Sequence, residues 1–178
     1  NNPRCPESTV EDVVLRNAGN RADCDKRFQM RATPDREGCH QLRATRGHKW
    51  SKILNADLVK PINPNQAPRF AFHATKETDW HLIRKEGLRC MGRASMHMAA
   101  TPREEDPGSS LKYNADRSVC IVFSLARFNR AGVEYGWAPL SGRTILSGGS
   151  ADQPGVIPPS CIVAAVTNDG RIWDQYKE

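Results

Sequence analysis

The chain has no long apolar run. Its longest, such as Val119 to Val122, fall far short of the roughly 18 residues needed to cross a bilayer. No membrane partner is therefore expected. Nothing at the N-terminus has the basic-then-apolar pattern of a signal peptide. The start Met is also missing, and Asn1-Asn2 opens the sequence. We read the chain as a fragment or processed form of an intracellular protein, cytoplasmic or nuclear. C-x-x-C pairs are absent from the six cysteines, which argues against a zinc ribbon or a dithiol redox motif. Nucleophile elbow, P-loop and G-x-G-x-x-G are absent too. There is no internal repeat and no low-complexity segment. Acidic residues are lacking between positions 40 and 52, where Arg43, Arg46, Lys49, Lys52, His40 and His48 cluster. With a net charge of +6 and a pI near 9.2, that run fits a surface facing phosphates better than a solubilising face, which would mix the signs.

At 178 residues, with 38% hydrophobic and 26% charged content, the chain is a globular domain or two small lobes able to bury a core. Ser8 to Ala18 reads as a helix, with Ser8 and Glu11 forming a capping box. Phe28 to Ala32 and Cys39 to Ala44 read as a β-hairpin. Helix then hairpin fits a small winged-helix-like lobe over 1–60. Pro61, Pro64 and Pro68 disfavour helix and central strand over 61–68, which becomes a linker. The second lobe, 69–178, opens with a strand over Arg69 to His73. A helix capped by Thr78 runs to Glu86, is ended by Gly87, and turns Trp80 and Ile83 inward with Leu82 nearby. Residues 101 to 117 read as a polar loop. Strands are predicted at Val119 to Leu125, Arg143 to Leu146 and Cys161 to Thr167. Ser147-Gly148-Gly149-Ser150 reads as a flexible turn. Cys120 and Cys161 behave as small core residues with free thiols. Many short strands with one or two helices give an α+β lobe around a bent sheet.

Candidate site residues concentrate in three places. Arg43, Arg46, His48 and Lys49 surround the turn at Gly47, where guanidinium forks suit phosphate. His73 ends a strand, Ala74 leaves a flat approach, and Thr75 adds a hydroxyl. His73 is read as a donor to a ribose hydroxyl or a phosphate. Arg93 precedes a strand on which Met96 and Met98 face one way and His97 the other. No carboxylate stands beside them as a general base. Histidines at metal-ligand spacing are absent, so no metal is expected.

Quoted in order, Lys26-Arg27-Phe28, Arg43-Ala44-Thr45-Arg46-Gly47-His48, Phe72-His73-Ala74-Thr75, Glu86-Gly87-Leu88, Gly92-Arg93-Ala94-Ser95-Met96-His97-Met98 and Val156-Ile157-Pro158-Pro159 resemble the RNA 2′-phosphotransferase family. Any one of these motifs is weak; their shared order and spacing over residues 8 to 166 are specific. The resemblance implies an ADP-ribosyltransferase-type second lobe that binds NAD as co-substrate. It also implies transfer of an RNA 2′-phosphate, at a tRNA splice junction, to NAD, giving nicotinamide and ADP-ribose cyclic phosphate. By the same token Arg43, Arg46, His48 and Lys49 would hold the RNA phosphate. His73, Ala74, Thr75, Arg93, Ser95 and His97 would hold NAD, and Arg43, His48, Arg93 and Arg143 would serve catalysis in a monomer. The chain departs from the family pattern at Ser95, which stands where the first histidine of His-x-His would be, and it lacks the family's N-terminal Leu-Arg-His helix. Two alternatives stay open: an ADP-ribosyltransferase acting on phosphorylated nucleic-acid ends or another target, and a non-catalytic RNA- or NAD-binding module.

Overall fold

A computed structural model describes residues 28–32, 40–44, 59–102, 111, 116–139, 142–167 and 169–175. The expected N-terminal helix over Ser8 to Ala18 lies outside these. The expected hairpin is present: β1 (Phe28–Ala32) pairs antiparallel with β2 (His40–Ala44), and Gln29 stands opposite Arg43.

From position 70 onward the chain forms β3 (Phe70–Thr75), α1 (Glu77–Glu86), β4 (Leu88–Arg89) and β5 (Met96–Ala99). Then follow β6 (Val119–Ser124), α2 (Leu125–Arg130), β7 (Val133–Trp137), β8 (Thr144–Ser150), β9 (Val156–Ile157), β10 (Ile162–Thr167) and β11 (Ile172–Gln175). Seven strands make one antiparallel sheet in the order β11-β10-β6-β3-β5-β8-β7, and β4 pairs with β9 apart from it. The architecture is α+β: a large antiparallel sheet with few helices.

Most apolar residues of this sheet and both helices form the main core, and Ala74, Ala99, Leu111 and Cys120 form a smaller cluster with Phe72 packed against it. Trp80 and Phe128 are fully buried and meet Ile121, Phe123, Met98 and Ile145. Phe128 packs edge-on against Tyr135 at 5.6 Å and tilted against Phe123 at 5.8 Å, geometries that aromatic quadrupoles favour. Cys120 and Cys161 are buried, as their apolar sequence neighbours led us to expect.

Several local expectations are corrected. Thr78 does not cap α1. β3 holds its register through Thr75, opposite Val119, so the chain turns at once and the Trp80 amide bonds the Lys76 carbonyl at 3.0 Å. Lys76 is the N-cap residue and offers no side-chain bond, while Glu77 and Asp79 stabilise the first turn through the helix dipole. Leu82 is 59% exposed: at 100° per residue it lies on a different face from Trp80. The strand expected through Leu125 stops at Ser124, whose hydroxyl accepts from the Arg127 amide and opens α2. Cys161 closes a 3₁₀ turn (Pro159–Cys161) before β10 rather than starting the strand.

The expected turn at Ser147 to Ser150 is instead the second half of β8. Ser147 Oγ donates to the Glu134 carbonyl at 2.8 Å and accepts from the Gly149 amide at 3.1 Å. The first bond stitches β8 to β7 across a register shift between Glu134 and Tyr135, and the second braces the bulge within β8. Gly149 adopts φ +95°, and a Cβ there would sit 2.4 Å from the Val156 amide nitrogen. Paired glycines here serve a β-bulge with a closely approaching turn, not flexibility.

Candidate functional site

The sheet is weakest between its two halves. β3 shares six registered pairs with β6 (Phe70↔Ser124 through Thr75↔Val119), but with β5 it shares only Phe72↔Ala99. Where the strands part, the His73 ring bridges them: its Nδ1–H donates to the His97 carbonyl at 3.0 Å. A cleft of about 790 Å³ opens along this seam, within the range of small-molecule and cofactor sites. Its floor is Phe72 to Thr75 of β3 and Met96 to Ala99 of β5. Its walls include Arg93, Ser95, Arg117 and α1.

A carbonyl can only accept, so Nδ1 of His73 carries the hydrogen. Burial lowers the His73 pKa from its ordinary 6.5; the nearby Arg117 and Arg93 charges lower it further, against the opposing effect of the His97 carbonyl bond. The ring is therefore neutral at pH 7, and Nε2 presents a lone pair. With Nδ1–H engaged by that carbonyl, Nε2 is the ring nitrogen left toward a ligand, and in this tautomer it can accept from a hydroxyl.

Thr75 and Ser95 are each 6% exposed and line the same cleft. No group among the described residues hydrogen-bonds either hydroxyl. Met96 and Met98 are buried in the core and His97 is half-buried in the cleft, as strand alternation requires. Burial also pushes the Cys90 thiol pKa upward, so this cleft residue is no thiolate.

Two groups were missed from sequence. Arg117 lines the cleft; it sits at the end of a polar stretch read as loop, with only its position just before the β6 apolar run as a signal. The second is the cleft-facing stripe of α1 with its N-cap Lys76. Lys76, Asp79, Leu82, Ile83 and Glu86 line the cleft, and their spacing is that of one helical face. The cleft therefore has carboxylates on its α1 side, and Glu86 is ion-paired with Arg89 at 3.3 Å. Arg143 is half-buried; its carbonyl accepts from the Ala100 amide at 2.9 Å, and it does not line the cleft, whereas neighbouring Thr144 does. Arg46, His48 and Lys49 lie outside the described residues, and Arg43 is placed by its backbone on β2.

At the cleft mouth, Cys90 to Arg93 make a tight turn closed by the Arg93 amide on the Cys90 carbonyl at 3.1 Å. Met91 occupies φ +48° and Gly92 φ +76°. A left-handed Met costs about 1–2 kcal/mol.

A family model described as "RNA 2'-phosphotransferase, Tpt1 / KptA family" matches residues 3–145. This chain belongs to the RNA 2′-phosphotransferase family. It is 31% identical over 110 residues to a "Putative tRNA 2'-phosphotransferase" of Schizosaccharomyces pombe, a match covering 62% of this chain and 28% of the yeast protein. It is 33% identical over 61 residues to a "Probable RNA 2'-phosphotransferase" of Rhizobium leguminosarum bv. trifolii, covering 34% of this chain and 30% of that protein. A protein of the same name from Rhizobium johnstonii matches to the same extent. The matched stretch thus spans less than a third of each of these relatives. The family match covers β1 to β5 and continues into β8, so it includes every cleft residue named above.

Proposed function

We propose that this chain transfers the 2′-phosphate of an RNA, a tRNA splice junction being the expected source, to NAD. The 2′-phosphate oxygen attacks the ribose carbon that bears nicotinamide; the C–N bond breaks and nicotinamide leaves with its electron pair. The neighbouring ribose hydroxyl then attacks the transferred phosphorus and displaces the RNA. The products are ADP-ribose 1″,2″-cyclic phosphate and an RNA 2′-OH.

The attacking phosphate is already ionised, so the first step needs no general base. It needs cations that hold anions together and hydrogen bonds that fix the ribose. Arg93 and Arg117 supply the charge. Neutral His73 accepts from a ribose hydroxyl through Nε2, and the Thr75 and Ser95 hydroxyls complete the polar wall with His97. The second arginine role goes to Arg117, which lines the cleft, rather than Arg143. Arg43, Arg46, His48 and Lys49 are assigned to the RNA phosphate. Residues 1–60 are taken as an RNA-binding lobe of winged-helix type and 61–68 as a linker. Residues 69–178 are taken as an NAD-binding lobe of ADP-ribosyltransferase type, the whole acting as an intracellular monomer.

One observation carries this reading: Arg93, Arg117 and a neutral, lone-pair-presenting His73 share one cleft at the parting of β3 and β5. Incubation with NAD and a 2′-phosphorylated RNA, followed by mass analysis, tests it. Cyclic phosphate release supports the proposal. Accumulation of ADP-ribosylated RNA moves the reading to an ADP-ribosyltransferase, and binding without nicotinamide release to a non-catalytic module.

A further inference from the structure

Met91 is 86% exposed in the left-handed region, at a turn position where Gly or Asn would be unstrained. Two unfavourable features thus coincide at one residue: a strained backbone and a large apolar side chain in water. Strain and exposure of this kind concentrate where a ligand makes use of them. Leu82, also exposed, lines the same cleft from α1. Resting on the reading above, we infer that Met91 and Leu82 form a platform on which the base of a nucleotide stacks while its phosphate lies toward Arg93, two residues on.

Charge decides between a base and a second phosphate. Asp79 and Glu86 stand on the same helical stripe as Leu82, and carboxylates repel a phosphate but accept hydrogen bonds from a base's exocyclic amine. Methionine suits the role, because its polarisable sulfur packs well on aromatic rings and its flexible stem adapts to their edges. At about 790 Å³ the cleft has room for a base beyond the ribose and phosphate. A base of the dinucleotide and a base of the RNA present the same planar face to this platform.

Calorimetric titration with adenosine 5′-monophosphate and with ribose 5-phosphate isolates the base, since the two ligands differ only there. The monophosphate is expected to bind about tenfold tighter, as stacking contributions imply. Met91→Asn should remove most of that advantage, leave ribose 5-phosphate binding unchanged, and raise the melting temperature because Asn tolerates left-handed backbone. Leu82→Gln should reduce the advantage as well. Equal binding of the two ligands, or an unchanged advantage in both variants, overturns the inference while leaving the phosphotransferase reading intact. Ribose 5-phosphate binding that ignores Arg93→Gln overturns both. Parallel titrations of Met91→Asn with NAD and with a 2′-phosphorylated oligonucleotide identify the source: the ligand whose affinity falls about tenfold supplies the base.

Discussion

Gly149→Ala should destabilise the protein far more than Gly92→Ala, although both glycines have positive φ, +95° and +76°. At Gly92 a Cβ would meet nothing within 4 Å, so only the backbone cost applies, about 1–2 kcal/mol. At Gly149 the new Cβ would stand 2.4 Å from the Val156 nitrogen and 2.6 Å from the Gly155 nitrogen. Both are backbone atoms and cannot swing aside. Their turn is pinned by the Gly155 amide on the Gly148 carbonyl at 2.7 Å and by the Val156 amide on the Gln153 carbonyl at 3.1 Å. Backbone strain of about 1–3 kcal/mol adds to overpacking of about 1–3 kcal/mol, giving about 4 kcal/mol in the middle of that range. For a chain of this size each kcal/mol lowers the melting temperature by about 2–4 °C. Gly149→Ala should therefore lose roughly 8–16 °C and Gly92→Ala roughly 2–8 °C in thermal unfolding followed by circular dichroism. The effect should reach the cleft, because the Gly155 carbonyl holds the Cys90 amide at 2.9 Å and β9 backs β4. Equal losses in the two variants would refute the claim that β8 is a bulged strand pressed against this turn.

Other predictions follow from the same geometry. His73 should titrate below its ordinary 6.5 by NMR, with the Nδ1–H tautomer, and Arg117→Gln should bring its pKa back upward. A folded-state pKa below the unfolded value means the unfolded chain takes up the proton first on acidification. The neutral ring's contribution is complete above about pH 6.5 and is lost as pH falls below it. The melting temperature should accordingly drop between pH 7.5 and 5.5 more steeply in wild type than in His73→Gln. Replacing Arg93 or Arg117 by Gln should lower turnover of NAD and 2′-phosphorylated RNA by about 10² to 10³, the effect of losing one charge-assisted donor worth about 2–4 kcal/mol; unchanged turnover in both variants would end the cationic-cleft mechanism. Ser124→Ala, which removes the acceptor of the Arg127 amide at the start of α2, should cost about 1 kcal/mol in denaturant unfolding, and no loss would remove the cap from the account.

Sequence reading succeeded where a local rule had no competitor. The hairpin β1–β2, the strand after position 69, the helix ended by Gly87 and the buried Met96 and Met98 all follow from short-range periodicity and turn chemistry. It failed where tertiary pairing overrode local preference. Gly148-Gly149 has the composition of a turn, yet the cross-strand bond from Ser147 to the Glu134 carbonyl and the pairing with β7 keep it in β8. Leu125 looks like the end of an apolar strand, but Ser124 caps a helix there because the preceding strand's register with β3 is complete. Thr78 is a good cap in isolation, and the β3–β6 register leaves it no such place. Arg117 could not be assigned from the sequence because nothing local says that a residue before β6 will face the gap between β3 and β5.

That gap explains why the cleft residues come from separate stretches of chain. An antiparallel sheet normally satisfies its backbone groups through its ladder, and a seam with one registered pair leaves groups that need other partners. Here one is supplied by a side chain: His73 closes the seam through Nδ1, and the same bond fixes which nitrogen is left for a ligand. A residue that spans the parting strands is thereby both a structural staple and a chemically defined acceptor. The two roles can be separated experimentally. His73→Asn can still donate to the His97 carbonyl if it reaches, but it presents a shorter acceptor to the cleft. If the bond at Nδ1 organises the site, His73→Asn should keep more stability than His73→Ala while losing affinity for ribose-bearing ligands to a similar degree. Equal stability of the two variants would mean that the seam is held by its flanking strands alone.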